Sequence, residues 1–493
     1  MMEHYKLLIN GQWVESSNKD FIPTTNPFSQ ETWAYIAQAS EEDVEKAIEA
    51  ANSAFEKWKN VSGKERALML LKLADVLEEN AERMAILESK DNGKVIRETL
   101  NQMHFAARNY RFFAGYADKI YGETIPLDNM DLLNYTLRKP LGVAALITSW
   151  NSPITILANK LAPALAAGNT VIIKPSEYTS VTTLEFGKLL QEAGFPDGVV
   201  NIVTGDAKVG DYLTKSSKIQ KISFTGGTST GKIISKNASE NLVANTLELG
   251  GKSPNIVFED ANLEAALTGA IAGIFGASGQ TCIAGSRLLV QKSIYEDFVQ
   301  KVVTKARSIK LGDPLNPETE MGPVANESQF KRINESINRA KKEGAKQVLG
   351  ADSFQSDNPE LSKGYFVPPT IFADVDNNSF IAKEEVFGPV LSIIPFEDDK
   401  NALEIANESE YGLAAGIWTS DLQRAHRLSN ELQAGTIWVN TYRTSAAQAP
   451  FGGVKMSGRG KERGWHALLE YTQVKNVMIN LSNNVRDPFT IQS

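Results

Sequence analysis

From residue 142 to about 240 the chain alternates short apolar runs with helical stretches, and that rhythm restricts its fold more than any other feature. The runs are Gly142–Thr148, Thr170–Ile173, Val199–Val203 and Ile219–Phe224. A loop at Ser149–Pro153 leads into a helix to Ala167; further helices are predicted over 180–194, near 207–216 and from Thr228. Runs this apolar suit strands buried on both faces, hence a parallel sheet covered by helices on both sides. Such sheets bind ligands outside the carboxyl ends of their strands, so ligand chemistry belongs in the loops 149–153, 174–177 and 225–231.

A second series follows Glu248. Asn255–Phe258 reads as a strand, 262–277 as a helix, Arg287–Gln291 as a strand and 294–309 as a helix. A loop-rich region over 311–323 gives way to renewed alternation to about 440. The fold class is therefore α/β, with two parallel-sheet domains joined near 249–251. Upstream, 43–119 reads as helical, with Ala67, Leu70, Leu71, Ala74 and Leu77 at helical spacing. The strand-like segments 122–140 and 471–485 belong to neither series. Val474, Val477, Ile479 and Leu481 partly alternate, which fits either an edge for another subunit or an edge capped within the chain.

Composition excludes several functions. At 493 residues, with 42% apolar and 22% charged residues, the chain is long enough for two to four globular domains. Its net charge of −8, with no basic patch or tail, favours neither a nucleic-acid nor an anionic-membrane partner. The most apolar stretch, Ala265–Ala277, is interrupted by Thr268 and three glycines and is shorter than the ~20 residues of a membrane span. The opening Met-Met-Glu-His-Tyr-Lys lacks the pattern of a secretory signal, so a cytoplasmic location is expected. One cysteine, Cys282, permits no intrachain disulfide and no cysteine-based metal site. His4, His104, His426 and His466 form no metal-ligand motif, and no metal is expected.

Four segments could carry chemistry. Phe224-Thr225-Gly226-Gly227-Thr228-Ser229-Thr230-Gly231 joins a strand to a helix, where backbone N–H groups can hold a phosphate, although a structural turn fits equally. Lys174-Pro175-Ser176-Glu177 also follows a strand; Lys174 can donate to a hydroxyl or phosphate and Glu177 can accept from a ribose, or the loop can simply be solvated. Glu248-Leu249-Gly250-Gly251-Lys252 places a carboxylate at the domain junction. Gly279-Gln280-Thr281-Cys282 surrounds the lone thiol with residues that allow close backbone approach. With no histidine in its sequence neighbourhood, a thiol plus a separate carboxylate suits covalent capture by sulfur followed by carboxylate-assisted attack of water.

Together these pieces resemble the NAD(P)-dependent aldehyde dehydrogenases of the non-acylating, hydrolytic type. The resemblance covers nearly the whole chain. It rests on Trp150-Asn151, Lys174-Pro175-Ser176-Glu177, Phe224-Thr225-Gly226, Glu248-Leu249-Gly250-Gly251-Lys252-Ser253-Pro254, Gly279-Gln280-Thr281-Cys282, Glu384-Glu385-Val386-Phe387-Gly388-Pro389 and Pro450-Phe451-Gly452-Gly453, in the family's order. It implies that Cys282 attacks the aldehyde, that Asn151 and the Cys282 N–H hold the oxyanion, and that Glu248 activates water; Glu462 matches a proton-relay carboxylate. It further implies NAD as cofactor, with NADP less favoured. Lys174, Ser176 and Glu177 would lie at the adenosine ribose, Thr225, Gly226, Gly227 and Gly231 around the pyrophosphate, and Glu385 and Phe387 at the nicotinamide end. Thr148, Ser149, Trp150, Leu249 and Gln329 complete the cofactor residues.

The implied architecture is a Rossmann-like cofactor domain (1–121 and 142–250), a catalytic domain (251–449), a return segment (450–470) and a bridging β element (122–141 and 471–493). That element makes homodimers or dimers of dimers in the family. Two departures stand out. Ser149 replaces the usual proline, and Gly227 replaces a common serine. Ser152, Asn159 and Ser445 stand where several small-aldehyde members carry aromatics, which implies a wide tunnel for bulky aromatic or long polyene aldehydes, retinal being an example. Arg443 offers an alternative, a carboxylate-bearing semialdehyde. A coenzyme A-acylating dehydrogenase is a further alternative, opposed by Glu248.

Overall fold

Every residue of Val143–Ile147, Thr170–Lys174, Val200–Ile202 and Lys221–Thr225 is buried, so these strands must be paired along both edges and covered on both faces. The computed structural model, which describes residues 2–351, 361–483 and 489, places them in an eight-stranded sheet. Its order is Gly458–Arg459, Ala244–Glu248, Lys221–Thr225, Val143–Ile147, Thr170–Lys174, Val200–Ile202, Leu7–Ile9, Gln12–Val14. The five central strands are parallel, and the outer three are joined to them through antiparallel pairings. Chain direction across the sheet reverses between Val143–Ile147 and Lys221–Thr225, the switch point at which a crevice opens beyond the strand ends. Ala244–Glu248, which the apolar alternation does not single out, ends at this crevice with Glu248.

Helix Pro153–Ala167 starts directly after the Ser149–Ser152 loop, with proline at its first position and Gly168 (φ +91°) closing it. It is buried along nearly all its length against the sheet and helix Ile96–Ala114. The helical stretch upstream is four helices: Glu41–Trp58, Gly63–Glu79, Ala81–Asn92 and Ile96–Ala114. Capping boxes at Ser40/Asp43 and Ser62/Glu65 start the first two, and left-handed Gly93 ends the third.

The second sheet has seven strands, ordered Lys346–Leu349, Thr370–Ala373, Val390–Phe396, Arg287–Gln291, Pro254–Val257, Ala414–Trp418, Thr436–Val439. All pairings are parallel except that of Lys346–Leu349. The segments left outside both series pair with each other. Thr472–Asn480 runs antiparallel to Leu132–Pro140 from Thr472↔Pro140 to Asn480↔Leu132, with Thr124–Ile125 on the other side. This ladder exposes Leu133, Leu137, Val474, Met478 and Ile479. Of the expected bridging element, 484–488 and 490–493 lie outside the described residues. A fourth sheet, Glu3–Tyr5, Thr32–Ala37 and Phe21–Thr25, has no counterpart in the sequence reading. Among the described residues no helix is long and apolar enough to cross a membrane.

Candidate active site

The crevice leads into a cavity of about 620 Å3 that brings together Asn151, Glu248 and Cys282. Asn151 lies between a strand and a helix, Glu248 ends strand Ala244–Glu248, and Cys282 lies between a helix and strand Arg287–Gln291. Helix Leu263–Phe275 ends before Gly276, and Ala277 and Ser278 (both φ +54°) and Gly279 (φ +71°) then turn the chain left-handed into Gln280-Thr281-Cys282. Non-glycine residues held there are strained by roughly 1 kcal/mol or more each. The Glu98 carboxylate accepts from the Ala277 N–H (3.1 Å), and Ser278 Oγ donates to the Gly322 carbonyl (2.8 Å). A side chain on Gly279 would collide with the Gly388 carbonyl at 2.0 Å, so this turn admits only glycine.

Cys282 is half-buried. Burial, followed by the Glu248 and Glu385 carboxyls, pushes its thiol up to about 12. Glu248 is 3% exposed, and neither carboxyl oxygen has a hydrogen-bond partner among the described residues. Burial, with the Glu462 carboxylate next in weight, holds it well above the usual carboxylate range. A buried carboxyl left without a donor is costly unless water or a reacting group completes it. Glu462 is engaged by Lys160, which also donates to Ser223 Oγ at 3.1 Å.

The Asn151 amide is oriented from both ends. Ser149 Oγ donates to its Oδ1 (2.8 Å), while its Nδ2 donates to the Gln280 carbonyl (2.9 Å), leaving one N–H free. The serine that departs from the family pattern thus fixes this amide's orientation. Lys94, unmarked in the sequence reading, donates to the Asn151 carbonyl and to Ser152 Oγ (2.7 Å).

Ser149, Trp150, Thr225, Gly226, Gly227 and Leu249 line one side of the same cavity, as do Gln329, Glu385 and Phe387. The Phe387 ring stands edge-on to Trp150, with centroids 5.2 Å apart. Glu385 accepts from the Gly251 N–H (2.8 Å), and Gln329 donates to the carbonyls of Val386 (2.9 Å) and Phe387 (3.0 Å). Thr148, Lys174, Ser176, Glu177 and Gly231, also expected at the cofactor, do not line this cavity. The Thr148 N–H donates to the Lys174 carbonyl (3.1 Å), and Gly231 packs against Leu249 in the first turn of helix Thr228–Glu240.

This side of the cavity fits a dinucleotide. Helix Thr228–Glu240 begins at Gly227 with no side-chain cap, and a Cβ on Gly227 would meet nothing within 4 Å. Thr225 Oγ1 is buried without a partner among the described residues. Free N–H groups, an open approach and an unused hydroxyl at a helix N-terminus are what a pyrophosphate requires. Lys174 Nζ is buried, held below its ordinary value by burial and supported by Glu177 and Asp206.

Beyond Cys282 the cavity is lined by Ser152, Asn159, Ser445 and Arg443, as the sequence suggested, and also by Phe105, Phe451 and Arg463, which it did not.

The aldehyde dehydrogenase family model matches residues 13–477. The (Z)-2-((N-methylformamido)methylene)-5-hydroxybutyrolactone dehydrogenase of Acinetobacter baylyi is 42% identical, with 100% of both chains covered. Cytosolic aldehyde dehydrogenase 1 of Elephantulus edwardii is 44% identical over 98% of this chain and 96% of its own. The crystal structure of a betaine aldehyde dehydrogenase point mutant from Staphylococcus aureus, in complex with NAD+, matches with a TM-score of 0.96 at 39% identity over 99% of each chain.

Proposed function

The chain belongs to the aldehyde dehydrogenase family, and from that premise we propose that it oxidises bulky aromatic aldehydes to carboxylic acids with NAD+. The overall reaction is RCHO + NAD+ + H2O giving RCOO−, NADH and two protons. The observation that carries this reading is the unpartnered Glu248 carboxyl, buried in one cavity with the half-buried Cys282 thiol and the oriented Asn151 amide.

The Cys282 thiol gives its proton to water, and Sγ bonds to the carbonyl carbon. The resulting oxyanion accepts from the free Asn151 N–H and from the Cys282 N–H; one such donor is worth about 3 kcal/mol in the transition state. Bound NAD+ supplies the hydride acceptor that converts this thiohemiacetal into a thioester. Glu248 then removes a proton from water as its oxygen attacks the thioester carbon, and the C–S bond breaks to release the acid. Glu462 and Lys160 lie behind Glu248 as an exit for its proton. Lys174 and Glu177 would hold the adenosine ribose, the start of helix Thr228–Glu240 the pyrophosphate, and Glu385 and Phe387 the nicotinamide end. The eight-stranded sheet is thus assigned to the cofactor and the seven-stranded sheet to the Cys282 loop. The exposed Leu133–Met478 ladder is assigned to pairing with another copy of the chain.

An aromatic aldehyde is favoured over a polyene because Ser152, Asn159 and Ser445 leave room while keeping the lining polar. A long unbroken hydrocarbon would cover the remaining Arg463 donors among them without offering them a hydrogen bond. Incubation with NAD+ and benzaldehyde, with and without coenzyme A, tests the reaction. NADH and benzoate are expected in both cases; a benzoyl-coenzyme A product would favour the acylating alternative.

Two further results are expected. Glu177 repels a 2′-phosphate and accepts from a 2′-hydroxyl, so kcat/KM should be about tenfold higher with NAD+ than with NADP+. Glu177→Gln should narrow that ratio; a ratio favouring NADP+ in the unmodified protein would contradict the assignment. The second concerns pH. Glu248 works as a carboxylate but is held protonated above the usual range, and the thiol is also shifted up, so both make activity rise with pH. An acid limb with its midpoint well above the ordinary carboxylate range is expected. A flat kcat between roughly pH 5 and 9 would contradict it.

A further inference from the structure

Arg463 follows Glu462 immediately, yet it turns back into the part of the cavity beyond Cys282. Its backbone (φ +62°, ψ 167°) occupies a region that residues other than glycine avoid, so the surrounding contacts must hold it there. Those contacts are specific. Nη1 donates to Ser445 Oγ, and Nε donates to Asn159 Oδ1 at 3.3 Å. Asn159 Oδ1 is itself fixed by the Asn109 amide at 2.6 Å. The guanidinium lies 5.1 Å from the Phe105 ring centroid and 4.8 Å from that of Phe451.

These partners are all neutral. Of the five N–H donors of a guanidinium, two are used among the described residues. Of the carboxyls that bear on it, Glu462 is ion-paired with Lys160, and burial holds Glu248 well above the usual carboxylate range. Arg443 differs: its Nη1 donates to the Ala272 carbonyl at 2.9 Å, and among the described residues it makes no hydrogen bond with Asn159 or Ser445. The sequence offered Arg443 as an alternative anion-selecting residue; the guanidinium pre-set against Asn159 and Ser445 is that of Arg463.

We propose that Arg463 is a specificity-determining residue that binds a carboxylate on the far end of the substrate, so that the preferred aldehydes carry an acid group and the products are dicarboxylates. Phe105 and Phe451 flank the guanidinium and shield it in part from water, which strengthens a charge-assisted, two-pronged hydrogen bond. Anchoring the tail would hold the aldehyde carbon against Cys282. This inference rests on the proposed aldehyde oxidation and deepens it.

The test compares matched aldehydes: benzaldehyde with 3- and 4-carboxybenzaldehyde, and pentanal with succinic semialdehyde. At least one carboxylate is expected to exceed its neutral partner in kcat/KM by about 10- to 100-fold, chiefly through KM. In Arg463→Met that ratio should fall towards one, in Arg463→Lys it should be partly kept, and in Arg443→Met it should persist. Arg463→Lys keeps the test available if the methionine variant does not fold. A ratio near one throughout the unmodified protein, or one that survives in Arg463→Met, overturns the inference while leaving the dehydrogenase reading intact. Failure of every aldehyde to reduce NAD+ overturns both.

Discussion

Cys282→Ala is expected to abolish aldehyde oxidation, lowering kcat by at least about 10^4-fold while NAD+ still binds. The size of the effect follows from chemistry that has no substitute: without sulfur there is no thiohemiacetal from which hydride can leave. Cys282 is the only cysteine, so an alkylating reagent that acts on sulfur acts there. Because burial and two carboxyls favour the neutral thiol, alkylation should be slow in the free enzyme and accelerate with rising pH. NADH production measured alongside NAD+ binding by fluorescence quenching checks both halves of the expectation. Turnover within tenfold of the unmodified enzyme would remove covalent catalysis from the account.

Glu248→Gln should separate the two halves of the reaction. The amide keeps the shape of the carboxyl but cannot take a proton from water, so steady-state turnover is expected to fall by about 10^2- to 10^4-fold. A rapid first equivalent of NADH should remain wherever bulk base or water can deprotonate Cys282. Loss of the burst together with turnover would show that Glu248 also activates the thiol. Unchanged steady-state turnover would refute its assignment as base. The acid limb of the pH profile should disappear in the same variant, because the buried, raised carboxyl is its source.

The central architecture was legible because strands buried on both faces must be written as apolar runs. Val143–Ile147 and Thr170–Lys174 are cases in which composition and burial agree residue by residue. The rule that ligands sit beyond the carboxyl ends of parallel strands points to the loops that hold Asn151 and Thr225–Gly227, and these residues line the cavity. The strands Leu7–Ile9 and Gln12–Val14 were not legible. Each has three residues, and Leu8 pairs with Ile202, a partner no local pattern indicates. Ala244–Glu248 escaped because its first residues, Ala244 and Asn245, are exposed or half-buried and break the apolar run. The helical stretch 43–119 was read as continuous because its breaks are made by capping residues, which interrupt hydrophobic periodicity only weakly.

The site divides in the same way. Cys282 and Glu248 were visible because glycines flank them, and those glycines have a local purpose: a Cβ on Gly251 would meet the Cys282 carbonyl at 2.6 Å. Lys94 and Arg463 were not visible, since their roles exist only in three dimensions. Lys94 supports Asn151 from 57 residues away, and Arg463 meets Asn159 across a separation of 304. The one available hint was an arginine beside Glu462 within the glycine-bounded segment Gly460-Lys461-Glu462-Arg463-Gly464. Periodicity cannot distinguish such a side chain from one that simply faces solvent.

The central claim is that oxidation passes through an acyl group on Cys282 and that Glu248 drives its hydrolysis. Intact-mass analysis of Glu248→Gln, quenched in acid after mixing with NAD+ and benzaldehyde, addresses it directly. The account predicts one benzoyl group per chain, located on Cys282, with one equivalent of NADH formed over the same interval. NADH accumulating with no acyl adduct on the chain would contradict it.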